Sequence, residues 1–367
     1  MKKFISTHFS EVDDPRSSRN QLHNFITLIG TTFCALLSGI DSFSGIQDFV
    51  ESHFKELGKY FAFPNGVPSH DTYQRLWDNI SPEQFYKSFQ KFTESLKVMA
   101  SDIVSIDGKT IRNSGKEKPF HIVSAWCKSN QLVLGQEKVD SKSNEVSAIP
   151  KLLELLDIKD CIVTIDAMGA QRNICKQIIE KQGDYFIALK GNQGNLHKDV
   201  IEYFEDPELL NTCLVNEDND KGHGRIEQRI AYVTDQIDWL QDIHKWPGLK
   251  SIGMVRSKVI RKGKETNETR YYISSLAANA RRTNEVARSH WEIENKLHWK
   301  LDVVFNEDKA CFRNDNATQN MDILRKWALN ILHKAKTKPD QSIKSVMRKN
   351  LMSVKHLVSS VKKIFHA

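Results

Sequence analysis

The chain has 367 residues and 42.2 kDa, too long for one small domain and enough for two or three units. Its 40% apolar content can build a core, which excludes a disordered chain, and its net charge of +7 favours polyanionic partners, nucleic acid before an anionic membrane. The six cysteines, Cys34, Cys127, Cys161, Cys175, Cys213 and Cys311, form no C-x-x-C pair, which excludes a zinc ribbon or redox motif and fits a reducing cytosol.

In chain order, MKKFISTHFSEVDDPRSSRN starts basic but turns acidic before any apolar run, so no secretory leader is expected. The most apolar run, Phe25–Ile40, is short for a bilayer and predicts a buried helix. Apolar residues recur at helical spacing in Leu22–Leu37, Ile46–Phe61 and Phe85–Met99. PNGVPSHDTYQRLW (64–77) predicts a turn and then a helix capped by Ser69 or Asp71. Ser81-Pro82 is a second start signal, with proline at the first helical position.

The pattern changes near residue 101. IVSIDGKTIR (103–112), FHIVSAWC (120–127) and QLVLGQEKV (131–139) read as an antiparallel meander. A helix follows over 144–157, then the buried strand CIVTID (161–166), a helix near Gln171–Gln182 and the strand DYFIALKG (184–191). Three strands, helix, strand, helix, strand is the order of a ribonuclease-H-like α/β core. Residues 205–278 predict a β-rich insertion with strands at 224–233, 249–262 and 269–276. A long helix is expected over Asn279–Val304. The end is helical and basic, with nine lysines and arginines against Asp340 alone after residue 333.

Asp107 ends IVSID and Asp166 ends CIVTID. In open α/β sheets the carboxyl ends of strands form the ligand crevice, although one aspartate there is ordinary turn chemistry. On an ideal helix Glu294 shares a face with Trp291, Leu297 and Leu301, whereas Glu292 lies beside Arg288 and Lys296 like a solvated residue. A carboxylate facing a core is costly unless it is paired or binds a cation. Three carboxylates without cysteine suit a hard ion, Mg²⁺ or Mn²⁺. Two such ions about 4 Å apart can serve in-line phosphoryl transfer. His290, Glu294 and His298 at i, i+4 and i+8 offer a rival zinc arrangement, without the H-E-x-x-H spacing; packing histidines are the plainer reading. GHGRIEQR (222–229) and LKGNQGN (189–195) read either as a mixed-charge edge strand and a turn, or as phosphate contacts.

Together, PNGVPSHDTYQRLW, SIDGKTIRNS, TIDAMGAQ, ALKGNQ, HGRIEQR, SHWEIENKLHWKLDVVFNEDKACFRNDNA and LRKWALNIL resemble insertion-sequence DDE transposases of the H-repeat-associated group, from about residue 10 to 335. The resemblance implies a helical N-terminal domain (1–100, for DNA binding or oligomerisation), a ribonuclease-H-like catalytic core (101–204 and 279–335), a β-rich insertion (205–278) and a basic helical tail (336–367). It implies a metal-holding triad of Asp107, Asp166 and Glu294, served by two Mg²⁺ or Mn²⁺ ions. Related transposases place a tyrosine, an arginine and a lysine around the glutamate. Here Ala287 and His290 stand at the first two places and Lys300 roughly at the third, and Glu307 is the fallback carboxylate. Lys109, Arg112, Lys190, Asn192, His223, Arg225, Arg229, His290 and Lys300 are expected to contact DNA. The expected activity is cleavage at mobile-element ends and strand transfer into double-stranded target DNA. The protein is expected to act as a homodimer or higher oligomer, in the cytoplasm near the nucleoid and off the membrane. The alternatives are a structure-specific nuclease on the same scaffold and an inactive DNA-binding descendant.

Overall fold

Among the described residues nine strands make one sheet: β1 (Ile103–Ile111), β2 (Phe120–Cys127), β3 (Leu132–Lys138), β4 (Ile162–Ile165), β5 (Asp184–Leu189), β6 (Leu214–Gly222), β7 (Arg225–Thr234), β8 (Ser251–Arg261) and β9 (Lys264–Ser274). They lie side by side in the order β3-β2-β1-β4-β5-β9-β8-β7-β6. The structure is a computed structural model and describes residues 1–95, 102–114, 119–140, 144–222, 224–241, 243–310, 312 and 314–366.

The helices are α1 (Lys2–Phe9), α2 (Phe25–Leu37), α3 (Phe43–Ser52), α4 (Phe54–Leu57), α5 (His70–Asn79), α6 (Pro82–Glu94), α7 (Glu145–Leu155), α8 (Arg172–Glu180), α9 (Gly194–Glu205), α10 (Pro207–Thr212), α11 (Ala280–His290), α12 (Trp299–Val303), α13 (Asp315–Ala335), α14 (Ile343–Met352) and α15 (Val354–Lys362).

β1, β4 and β5 run parallel, while β2 is antiparallel to β1 and β3 antiparallel to β2. Parallel neighbours need a crossover, and α8 supplies it between β4 and β5. Alternate residues of each strand point to opposite faces. Val104, Ile106, Val163, Ile165 and Ile187 share one core with Ile149 and Leu152 of α7 and Ile174 and Ile178 of α8. Ile103, Ile162 and Phe186 meet Val286 and Ala287 of α11 in another core, so helices cover both faces. Strands β6–β9 extend this sheet, because β9 pairs antiparallel with β5.

A separate apolar cluster joins helices from the two ends of the chain. Trp327 of α13 has its ring centroid 4.6 Å from that of Phe9 and 5.0 Å from that of Phe92. Val346, Leu357 and Val361 of the basic C-terminal stretch lie in the same cluster.

Several elements differ from expectation. The single helix expected over Asn279–Val304 is broken. α11 ends at His290, a turn falls at Trp291, a π-helical turn spans Glu294–His298, and α12 follows. The helix expected over Ile46–Phe61 is divided at His53. α6 stops at Glu94, and the rest of the expected Phe85–Met99 helix runs into residues outside the described ones. β6, with the polar sequence LVNEDNDKG, carried no period-2 apolar signal, yet it pairs with β7 along nine positions. No helix among the described residues is long and apolar enough to cross a membrane.

Candidate active site

Ile106 of β1 pairs with Ile165 of β4, so Asp107 and Asp166 follow in the next row of two adjacent parallel strands. Neighbouring strands lie about 4.8 Å apart, which puts the two backbones side by side. β4 stops because Asp166 opens a turn: its carboxylate accepts from Met168 N–H at 3.0 Å, and its carbonyl accepts from Gly169 N–H at 3.0 Å. A Cβ on Gly169 would lie 2.2 Å from Ile165 Cγ2, so this turn needs a glycine. Asp107 does not end its strand as expected. β1 continues to Ile111, held by β2 through the pairs Asp107↔Ser124 to Ile111↔Phe120. The parallel partner is what ends at the aspartates, leaving that side of β1 open.

Burial pushes the Asp107 carboxyl up to about 7, and the charges of Glu145, Asp166 and Glu294 add to the rise against the Gly108 N–H that opposes it. Asp166 is also raised, by burial first and then by Glu145, with Lys190 pulling the other way. Asp107 makes no ion pair with a lysine or arginine among the described residues. Its neighbour is His298, with Nδ1 3.6 Å from Oδ2. Burial drives the His298 imidazole down to about 3, with the Lys326 and Lys109 charges adding, so it stays neutral at ordinary pH. The result is a pair of raised carboxyls, Asp107 without a lysine or arginine partner among the described residues, made of hard oxygen donors that suit a divalent ion. Among the described residues no three Asp, Glu, His or Cys side chains converge on a metal position as they stand.

Glu294 is within charge reach of Asp107 but does not face a core. The expectation of a shared face with Trp291, Leu297 and Leu301 is overturned. Glu294 and Trp291 are exposed, and the buried stripe is Ile293, Leu297, His298 and Leu301. The π turn adds residues to one winding, so positions counted at 3.6 per turn shift around the axis. Trp291 lies outside because its ring packs under the Arg270 guanidinium, 3.9 Å from the centroid. Glu292 pairs with Lys296 at 2.9 Å, as its spacing suggested.

The sequence reading did not single out Glu145, whose charge acts on both aspartates, or its partner His121. Glu145 stands in the first turn of α7 and its Oε1 lies 2.5 Å from His121 Nε2. The available signal was Gly108, next to Asp107: a Cβ there would fall 2.3 Å from Glu145 Oε1.

The expected phosphate contacts divide by place. Lys190 is exposed, and Asn192 donates to Ala167 O at 2.7 Å, which ties the Lys190 loop to the turn after Asp166. Arg112 is exposed, with Nε 3.4 Å from Asp308. Lys109 is instead half-buried in an ion cluster, 2.7 Å from Asp302, 2.8 Å from Glu307 and 3.5 Å from Asp308. Burial works against its charge, but Glu307 and Asp302 more than offset this and raise its pKa. Glu307, the fallback carboxylate, is 1% exposed and occupied by Lys109, not by the aspartates. Arg229 is likewise buried, held by Glu227 at 2.5 Å and Asp218 at 2.7 Å, while Arg225 pairs with Glu227 at 2.6 Å. Their strand β7 is an inner strand, and β6 is the edge. His223 lies outside the described residues.

His290 is packed against the sheet, its Nδ1 3.1 Å from Thr164 Oγ1, and burial lowers it to about 4. Lys300 Nζ sits 2.9 Å from His333 Nε2. The zinc arrangement of His290, Glu294 and His298 is not assembled. His290 faces Thr164, His298 faces Asp107, and Glu294 is exposed.

The chain matches two sequence families: "DDE_Tnp_1-associated" over residues 6–93 and "Transposase DDE domain" over residues 99–331. It is 39% identical over 371 aligned positions to the "H repeat-associated putative transposase YhhI" of Escherichia coli K12, covering 97% of each chain. It is 38% identical to the "Putative transposase YncI" of Escherichia coli O157:H7, covering 90% of this chain and 87% of that one. A piggyBac transposase solved in a synaptic complex with hairpin DNA is 12% identical. It aligns with 100% of this chain and 78% of its own at a TM-score of 0.44, too loose a likeness to fix any detail of the site.

Proposed function

Because the chain belongs to the insertion-sequence DDE transposases, in the H-repeat-associated group, we propose that it cleaves DNA at the ends of its mobile element and joins the freed ends to target DNA in a divalent-metal-dependent reaction. The observation that carries this is the placement of Asp107 and Asp166 in one row of adjacent parallel strands, with Glu294 within charge reach. The strand order β3-β2-β1-β4-β5, with β2 antiparallel to β1 and to β3, supports a ribonuclease-H-like core, and β6 to β9 its insertion.

Asp107 and Asp166 hold the ion, and Glu294, on the more open side, completes the set as DNA enters. Mg²⁺ or Mn²⁺, as a pair of ions, supplies activation of the attacking oxygen and charge stabilisation at the leaving one. Water attacks the phosphodiester at the element end and the leaving oxygen becomes a 3′-hydroxyl. That hydroxyl then attacks a target phosphodiester, forming one bond as it breaks another. Lys190 and Arg112, exposed near the site, contact phosphates. The helical body of α1–α6 is assigned to DNA binding or oligomerisation, and a homodimer brings two element ends together.

The test uses element-end duplex DNA with Mg²⁺. Asp107→Asn and Asp166→Asn are expected to abolish cleavage while leaving DNA binding in place. Retained cleavage in either variant overturns the proposal. Supplying pre-cut ends isolates the joining step: an enzyme that cuts but never joins is a nuclease, and a chain that binds without doing either is an inactive descendant.

A further inference from the structure

We propose that a basic cavity in the helical body, between the loop 15–23 and α5, binds a phosphate of the DNA backbone through Arg16, Arg19, His23 and Arg75. This rests on the assignment of α1–α6 above and takes its DNA-binding branch.

The cavity holds about 550 Å³. One wall is the loop that leads into α2. The other is a single face of α5, where Thr72, Arg75 and Asn79 stand at i, i+3 and i+7. A different side of α5 carries Gln74 and Asp78, which line a separate cavity against Asn306 and Lys309 in the turn after α12. Neither aspartate of the candidate active site lines the basic cavity, nor does Glu294, so a phosphate held there is an anchoring one and not the one being cut.

Three arginines and a histidine line the cavity, and no carboxylate does. Asp14 stands beside Arg16 but is already taken, accepting from Nε at 2.8 Å and from Nη2 at 2.7 Å. The third guanidinium nitrogen, Nη1, is buried without a partner. Arg19 and Arg75 are exposed and, among the described residues, meet no carboxylate. By contrast, Arg225, Arg229, Arg270, Arg282 and Arg288 are each held by one. Cations gathered without a counter-charge attract an anion, and the planar guanidinium fork matches a phosphate.

His23 is an independent sign of a ligand. It is 7% exposed, and its ring makes no hydrogen bond among the described residues. A polar group buried in this way is unfavourable unless something from outside the fold meets it. Burial lowers the imidazole and the Arg16 charge adds to the fall, so the ring is neutral at ordinary pH with one N–H to donate. The loop is also set in advance. Arg16 N–H donates to Asp14 Oδ1 at 3.1 Å, Gln21 Nε2 to Arg16 O at 3.1 Å and Asn65 Nδ2 to Leu22 O at 2.6 Å. A loop held like this loses little freedom when a ligand arrives.

The plainer reading is a watered groove with solvated arginines. Salt dependence separates the two, because each cation that neutralises a phosphate releases counterions. The experiment is filter binding of the full chain over a salt series, without divalent ion, with thermal melting of each variant. The probes are element-end duplex DNA and a duplex of unrelated sequence. Arg19→Ala and Arg75→Ala are each expected to weaken both probes alike and to reduce the slope of log affinity against log salt by about 1, and the double variant by about 2. Lys87→Ala, which removes an exposed cation of α6 that Glu83 already holds at 3.0 Å, is expected to keep the wild-type slope. Arg75 Nε also donates to Asp71 O at 3.1 Å, so Arg75→Gln takes the place of the alanine variant if the melt falls. A double variant with the wild-type slope overturns this inference and leaves the Asp107 and Asp166 site standing, since that site is read by cleavage. Weakening confined to the element-end probe makes the cavity a reader of bases and overturns the phosphate assignment. A wild type that binds neither probe overturns both this inference and the transposase reading.

Discussion

Lys109 Nζ stands 2.8 Å from Glu307 Oε2 across 198 residues of sequence, and this contact fastens β1 to the turn that follows α12. Glu307 has no exposed side-chain surface, and Lys326 pairs with Asp322 in the same buried region at 2.8 Å. Removing one member of a buried pair leaves an uncompensated charge, which costs about 3–5 kcal/mol. Lys109→Met is therefore expected to lower unfolding stability by that order in urea titration. Lys109→Met with Glu307→Leu is expected to recover much of it, since a buried pair exchanged for apolar side chains is often neutral. A single variant within about 1 kcal/mol of the wild type would show that Asp302 and Asp308 carry no net charge balance here.

Glu292 and Glu294 are two residues apart, but their surroundings assign them different roles. Glu292 is half-buried against Lys296, while Glu294 is exposed and raises Asp107 by its charge. Glu294→Gln is expected to abolish Mg²⁺-dependent cleavage of element-end DNA with little change in melting temperature. Glu292→Gln is expected to keep cleavage and lose no more than about 0.5 kcal/mol, the scale of an i,i+4 pair on a helix. The reverse pattern in the cleavage assay would move the third carboxylate away from Glu294.

The same helix shows what could be read in the sequence and what could not. The runs IVSID and CIVTID predicted two strands that each reach an aspartate, CIVTID as a buried parallel one because such strands are continuous apolar runs, and the observed register sets Ile106 opposite Ile165. Glu294 was selected on an ideal winding that the chain does not follow. Residue spacing contains no signal for a π turn, and an aromatic such as Trp291 reads as core until Arg270 is found stacked on it. Glu145 was illegible for another reason: its contact with His121 depends on the packing of α7 against β2 and β3, a tertiary fact. Gly108 was its one local trace. β6 escaped because an exposed polar edge strand has no apolar face to alternate.

Lys300 links the site helix to α13 at a cost in charge burial. Its ammonium is lowered to about 8, by burial first and then by Lys336 and Lys296, and its neighbour His333 is also lowered by burial. The folded chain thus binds fewer protons at Lys300 than the unfolded chain between about pH 8 and the ordinary lysine value of 10.5. Stability rises with pH wherever the unfolded state binds more protons, so this residue makes the fold more stable as pH climbs through that window. Below pH 8 the full penalty is present. Lys300→Met is expected to raise the melting temperature at pH 7 and to flatten its rise between pH 8 and 10.5. An unchanged slope in that window would mean that Lys300 is not desolvated in solution.

Lys190 and Arg229 were both expected to meet DNA, and their settings predict opposite outcomes. Lys190 is exposed, and its charge reaches Asp166. A lysine on a phosphate releases counterions on binding, so Lys190→Ala is expected to weaken affinity for element-end DNA uniformly across sequences. It should also reduce the slope of log affinity against log salt by about 1. Arg229 is 5% exposed and serves Glu227 and Asp218 within the sheet. Arg229→Ala is expected to leave the salt slope unchanged and to destabilise the fold by about 1–3 kcal/mol, because Glu227 loses its buried partner. Filter binding over a salt series, paired with urea unfolding, separates the two. A fall in slope for Arg229→Ala without loss of stability would require its guanidinium to leave both carboxylates when DNA binds.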